Sequence, residues 1–180
     1  MSKKKLVGII VGCIVAVFVV LAIAIPSEPT SPSSTTPPAT EKPTPSKPSP
    51  LTTSEQNYII IIEDQATTVG QAFNELGALL QNPQYDNDEW TLKVATQLVI
   101  IRTAYDEAMQ LDVPDSMAHI HLKYTQGMKH YNSSTYLLAQ GIDNLDANLV
   151  EEAGREMDTG AQLILEAADL KDEFRHAHGA

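Results

Sequence analysis

The sequence predicts an all-α protein in which an antiparallel, up-down four-helix bundle follows an N-terminal transmembrane helix and a disordered linker. Three observations lead to this prediction. Residues 6–25 are apolar throughout, residues 26–53 are rich in proline, serine and threonine, and residues 54–180 carry apolar side chains at helical spacing. We therefore divide the chain into a signal-anchor helix (1–25), a linker (26–53) and an extracytoplasmic helical domain (54–180).

The apolar segment begins at Leu6 and ends at Ile25, and its twenty residues include no charge, amide or proline. As a helix it would be about 30 Å long, which matches the hydrocarbon core of a bilayer. Three lysines directly precede it, and a positive cluster keeps that end of a segment cytoplasmic. We predict a single-pass protein of the cell membrane that contacts the lipid bilayer here and carries its C-terminal domain outside the cytoplasm.

Two alternatives for this segment stay open. Ala22-Ile23-Ala24 is a small-x-small sequence of the kind that signal peptidase cleaves, which would release a secreted domain, although the apolar region is longer than usual. The sequence before Cys13 resembles a lipid-attachment site, although twelve apolar residues follow this cysteine instead of a polar tether. Because Cys13 is the only cysteine, an intramolecular disulfide and a zinc site built on thiolates are excluded.

The linker at residues 26–53 holds nine of the eleven prolines and many serines and threonines. Such a composition cannot bury a core and favours extended, partly polyproline II conformations. At ~3.1 Å per residue, it would reach up to about 90 Å from the membrane. We therefore interpret it as a spacer.

The helical domain is strongly acidic. From Leu51 onward the chain has 21 Asp and Glu residues against 7 Lys and Arg residues. Such a surface repels phosphate backbones, so nucleic-acid binding is excluded as a function class. It also argues against a domain that lies flat on an anionic membrane.

The first two predicted helices have clear start and stop signals. Thr52 and Glu55 have the spacing of a capping box, Asn82-Pro83 ends the first helix, and Asp86 with Glu89 starts the second. A short strand at residues 59–62 is the rival structure. The apolar positions of the first helix are Tyr58, Ile62, Val69, Phe73, Leu76 and Leu80, and those of the second are Trp90, Val94, Leu98, Ile101, Tyr105 and Ala108.

The last two predicted helices follow Pro114 and Asp146, which suit the first turn and the N-cap of a helix, respectively. Four long amphipathic segments joined by short loops predict an up-and-down bundle. The third stripe, with regular spacing of four and three, is Met117, His121, Tyr124, Met128, Tyr131, Thr135, Leu138 and Ile142. The fourth is Leu149, Ala153, Gly160, Leu163, Ala167, Leu170 and Phe174.

Part of the third and fourth segments resembles a known group of proteins. The run M-x-x-x-H-x-x-Y-x-x-G-M-x-x-Y begins at Met117, and GIDNLD and EAGREMDTGAQLILEA follow at residues 141–146 and 152–167. These motifs resemble uncharacterised exported helical domains of membrane-anchored proteins and lipoproteins of archaea and bacilli. The resemblance covers residues 113–170. It implies a secreted, all-helical domain, and it implies no activity and no functional residues.

No set of residues in the sequence has the spacing of a catalytic or metal site, so we predict a protein that is not an enzyme and has no cofactor. A ferritin-type site needs two Glu-x-x-His motifs on separate helices, and only Glu173 and His176 have this spacing. The remaining candidate is a ligand-binding or pH-sensing core on the third helix, and ordinary core packing is the alternative interpretation. Its residues are His121, Tyr124, Met128 and Tyr131.

Two four-residue apolar runs, at 59–62 and 98–101, predict an interaction surface. Four consecutive residues cover every side of a helix, so part of each run must lie off the core. The candidate residues are Ile59, Ile60, Val99 and Ile100. We favour a structural or protein-interaction module that binds a partner protein or itself. The alternative is a ligand-sensing or solute-binding bundle that acts through a membrane partner, which would need a buried polar cavity near His121.

Overall fold

The computed structural model describes residues 49–179, which form four α-helices around one apolar core. They are α1 (Thr53–Gln81), α2 (Asp88–Ala108), α3 (Ala118–Asp143) and α4 (Ala147–Ala177), and a 3-10 turn at Asp115–Met117 leads into α3. This range contains no strand, so the all-α prediction is confirmed for it and the strand alternative at residues 59–62 is wrong. The predicted anchor, residues 6–25, and residues 26–48 of the linker lie outside the described residues.

Within residues 49–179, no helix is both long enough and apolar enough to cross a bilayer.

The capping box predicted at the start of α1 is confirmed. The Glu55 carboxylate accepts a hydrogen bond from the Thr52 backbone N–H at 2.8 Å, and Thr52 Oγ1 accepts one from the Glu55 N–H at 3.3 Å. Glu55 also accepts a hydrogen bond from Ser116 Oγ at 2.6 Å, which ties α1 to the 3-10 turn. This hydrogen bond is the main reason that the pKa of Glu55 lies below its ordinary value. The helical domain therefore begins at a well-anchored point, one residue before the predicted boundary.

The start of α2 differs from the prediction by one residue. The N-cap is Asn87, whose Oδ1 accepts hydrogen bonds from the Glu89 and Trp90 backbone N–H groups at 2.9 and 3.2 Å, and not Asp86. Asp and Asn cap helices about equally well, so their order in the sequence does not decide which one acts. The Trp90 indole then donates to the Leu79 carbonyl at 3.0 Å, which joins α2 to the end of α1.

The contact between α3 and α4 depends on small residues. A Cβ at Gly127 would lie 2.9 Å from the carbonyl oxygen of Gly160, and a Cβ at Gly160 would lie 2.7 Å from Cδ1 of Tyr131. The backbones can approach this closely only because neither residue has a side chain. Along α4, the buried residues are accordingly mostly small: Ala147, Val150, Ala153, Gly154, Met157, Gly160, Ala161 and Ala167.

The predicted apolar stripe of α4 is therefore only partly correct. Asp146 is the N-cap, as predicted, and accepts a hydrogen bond from the Asn148 N–H at 2.9 Å. Ala153, Gly160 and Ala167 are buried as predicted, but Leu149, Leu163, Leu170 and Phe174 are only half-buried. The prediction followed the large apolar side chains, but the closest contacts of α4 are made by alanine and glycine. The large side chains therefore lie beside the contact and not in it.

Candidate interaction surface and predicted ligand core

Three members of the predicted ligand core are packed inside the bundle. Tyr124, Met128 and Tyr131 are each at most 4% exposed. The Tyr124 hydroxyl donates to Gln65 Oε1 at 3.0 Å, and the Tyr131 ring packs edge-on against Phe73 with centroids 4.8 Å apart. Burial raises the pKa of both tyrosines, so both hydroxyls keep their protons. These side chains fill the core and connect α3 to α1.

His121, the fourth member, belongs to the same apolar stripe of α3 but is only half-buried. Its Nδ1 lies 3.1 Å from the hydroxyl of Tyr58, and the two rings meet edge-on at 5.9 Å. Burial raises the pKa of Tyr58, so its hydroxyl keeps its proton, which the Nδ1 of a neutral imidazole in the Nε2–H tautomer can accept. The pair forms a second polar link between α1 and α3.

The environment of His121 predicts that the bundle loses stability in mild acid. Burial lowers the pKa of His121 below its ordinary value of 6.5. As the pH falls below 6.5, the unfolded chain takes up the proton first, so the free energy of unfolding decreases until the pH passes the folded-state pKa. Between about pH 7.5 and 5, the free energy of unfolding of His121→Phe should decrease less than that of the wild type. Urea unfolding at each pH measures both decreases.

His176→Gln is the matched control for this prediction, because His176 is exposed in the last turn of α4. It should keep the wild-type dependence on pH. An equal loss of stability in the wild type and in His121→Phe would contradict the assignment of this effect to His121.

The cavities near the predicted ligand core are small. One of about 60 Å³ lies between α1 and α4 beside Tyr124, and one of about 30 Å³ lies beside Met128 and Tyr131. Pockets for small molecules usually have about 300 Å³ or more. A wider cleft of about 300 Å³ opens between α1 and α2. It is lined by Ile61, Asp64, Gln65, Thr68, Ala104 and Glu107.

The two apolar runs are divided between core and surface. Ile60 and Val99 are each 55% exposed, and Ile100 is half-buried. The prediction that Ile59 belongs to the interaction surface is wrong, because Ile59 is only 5% exposed. Successive residues of a helix are 100° apart, so Ile59 turns toward the bundle and Ile60 turns away from it.

Sequence reasoning missed several residues of the exposed surface. Leu92 is 67% exposed and, seven positions before Val99, lies on the same side of α2. Ile61 is also exposed. Arg102, one turn after Val99, stacks on the exposed ring of Tyr136, with Cζ 3.9 Å from the ring centroid. The Leu92–Val99 spacing was a detectable signal, but no sequence signal pairs Arg102 with Tyr136, because this contact joins two helices.

No protein-family model, curated protein or solved structure matches this chain.

Proposed function

We propose that this protein is a membrane-anchored extracytoplasmic helical bundle that works as a protein-interaction module. The observation that carries the proposal is the exposure of Ile60 and Val99, each 55%, above a core that is already filled by its own side chains. These two side chains are not needed to fill the core, and exposed apolar side chains that form a contiguous patch mark a binding surface.

The proposed arrangement of the bundle is up-and-down, with neighbouring helices antiparallel. Contacts between α3 and α4 support this direction: Lys123 pairs with Glu166 at 2.6 Å, and His130 pairs with Glu156 at 2.8 Å. Residue numbers thus rise along one helix while they fall along the other. The connections at residues 82–87 and 144–146 are short, as antiparallel neighbours require.

The proposed anchor is the apolar segment from Leu6 to Ile25, with the linker as a spacer that holds the acidic domain away from the bilayer. The resemblance of residues 113–170 to exported helical domains supports the same location. Deletion of residues 1–25 should move the protein from the membrane fraction to the soluble fraction after alkaline extraction. Recovery of the full chain in the soluble fraction after the same treatment would contradict the anchor.

The proposed surface can be tested with a photo-crosslinking residue at Ile61, next to Ile60, in the full chain in its producing cells. We expect a crosslinked product that Ile60→Glu reduces by about tenfold or more, because a carboxylate would lose its water in the apolar contact. Ile60→Glu should leave thermal unfolding within the range of ordinary surface substitutions, about 0.5 kcal/mol.

Gln71→Glu is the matched control, since it adds the same charge at an exposed position of α1, three turns from Ile60. It should leave the crosslinked product unchanged. The proposal fails if no product forms at Ile61, or if Gln71→Glu and Ile60→Glu reduce it equally.

Solute binding is the second candidate function, and the cleft of about 300 Å³ between α1 and α2 favours it. Its floor includes Gln65, which is hydrogen-bonded to Tyr124 and so links the cleft to the core. A thermal-shift screen of small molecules with the full chain tests this function. A hit that Ala104→Leu abolishes would place the solute in the cleft, because this change fills it.

A further inference from the structure

Arg102 is held in one orientation by two contacts with α3. Its Nε donates a hydrogen bond to Thr135 Oγ1 at 2.8 Å, and its guanidinium lies 3.9 Å from the centroid of the Tyr136 ring. Thr135 is fully buried and its hydroxyl donates to the Asn132 carbonyl at 2.7 Å, so it is itself fixed. The contacts with α3 therefore fix the orientation of the Arg102 guanidinium.

Within residues 49–179, Arg102 forms no ion pair, although the domain has 21 acidic and 7 basic residues from Leu51 onward. The two other arginines both have carboxylate partners: Arg155 lies 4.0 Å from Glu151, and Arg175 lies 3.8 Å from Glu63. The Nη nitrogens of Arg102 make no hydrogen bond with any described residue. They leave a planar pair of donors free for a carboxylate.

The surroundings of Arg102 have the composition of a binding hot spot. Tyr136 is 51% exposed and Val99, one turn before Arg102 on α2, is 55% exposed. Arginine and tyrosine dominate the energetics of many protein interfaces. Lys129 lies seven positions before Tyr136, on the same side of α3, and it also forms no ion pair within the described range. Arg102 thus lies beside an exposed apolar side chain and an exposed aromatic ring, on a domain that is acidic as a whole.

We propose that Arg102 is the anchor for a carboxylate of a partner protein, supplied by an Asp or Glu side chain that packs between Val99 and Tyr136. This inference rests on the interaction function proposed above and names the chemistry of the partner. Charge complementarity selects a carboxylate, because the guanidinium is oriented and forms no ion pair with any residue between 49 and 179. A second copy of the chain is disfavoured as the partner, because two strongly acidic domains repel each other.

The arginine side chains allow a direct test, because the full chain has only three: Arg102, Arg155 and Arg175. We would record their Nε–H signals by nitrogen-15 NMR on the full chain in a non-ionic detergent. The probe is a capped Leu-Glu-Leu peptide, and its control is the capped Leu-Gln-Leu peptide of the same size without the charge. We expect the glutamate peptide to shift the Arg102 signal saturably, with at least about tenfold higher affinity than the glutamine peptide.

The variants separate an anchor from a general charge effect. Arg102→Lys keeps the charge but loses the bidentate fork and the stacking, so it should weaken binding of the glutamate peptide by about tenfold. Arg155→Gln removes an exposed arginine on α4 and should not change the affinity. The thermal unfolding of each variant is measured alongside, and Tyr136→Leu provides a second variant that disturbs the stack but keeps Arg102.

Three results would overturn the proposal: parallel shifts of all three arginines, equal affinity for both peptides, or no shift of Arg102. The crosslinking at Ile61 distinguishes this failure from a failure of the interaction function. If that crosslinked product persists while Arg102 shows no selective response, the module binds a partner without a carboxylate anchor. If both are absent, the interaction function itself falls.

Discussion

Replacement of Gly160 by valine is expected to lower the free energy of unfolding by about 3 kcal/mol. A Cβ at this position would stand 2.7 Å from Cδ1 and 2.8 Å from Cε1 of Tyr131, and 3.0 Å from the carbonyl oxygen of Gly127. Tyr131 cannot move aside easily, because it is buried and packs against Phe73. The side chain therefore forces α3 and α4 apart along their closest contact.

Two opposing effects decide the size of this loss. Valine is a better helix former than glycine by a few tenths of a kcal/mol, which favours the variant. Overpacking a well-filled contact costs about 1–3 kcal/mol, and the cost is at the upper end when a backbone atom is involved. The steric cost is larger, so the net effect is destabilising.

Urea unfolding followed by the fluorescence of Trp90 measures this change, because Trp90 is the only tryptophan and is buried. Gln162→Val is the control: it introduces the same side chain two positions further along α4, at an exposed site, and should cost about 0.5 kcal/mol. Equal losses in the two variants would mean that the close approach at Gly160 does not limit the packing of α3 on α4.

Ile101→Ala should also destabilise the bundle strongly, by about 2–5 kcal/mol. Ile101 is completely buried in α2, and truncation of a buried isoleucine removes apolar contacts and leaves a cavity. The measurement is the same urea unfolding. A loss below about 1 kcal/mol would be in the range of an ordinary surface site and would contradict the burial of this side chain.

Val99→Ala provides the comparison within the same apolar run. Val99 is 55% exposed, so its truncation should change the free energy of unfolding by no more than about 0.5 kcal/mol. A large difference between the two variants would show that the run from 98 to 101 serves two purposes, with Ile101 in the core and Val99 on the surface.

The sequence was sufficient for the features that depend on neighbouring residues. The helical periodicity, the capping box of Thr52 with Glu55 and the cap at Asp146 depend on side chains only a few positions apart, so they could be predicted. The same periodicity predicts Met128 and Tyr131 on the inner side of α3, and both are buried. The start of α2 predicted at Asp86 was wrong by one residue, because Asn87 beside it is an equally good cap and is the one that acts.

The tertiary structure decided which surfaces meet. The division of Ile59 and Ile60 between core and solvent depends on how α1 is rotated against its neighbours, and the sequence leaves this rotation open because all four residues of the run are apolar. The Arg102–Tyr136 stack joins two helices across 34 positions. No local pattern encodes such a contact.

The sequence by itself determined that residues 54–180 would be helical, acidic and stabilised by an apolar core without disulfides, since composition and spacing are properties of the chain alone. Only the folded bundle decided that α4 packs through its glycines and alanines and that Arg102 is oriented by α3 but forms no ion pair within residues 49–179. Packing depends on the combined shapes of facing helices, and a free hydrogen-bonding group is recognised only when all its neighbours are in place.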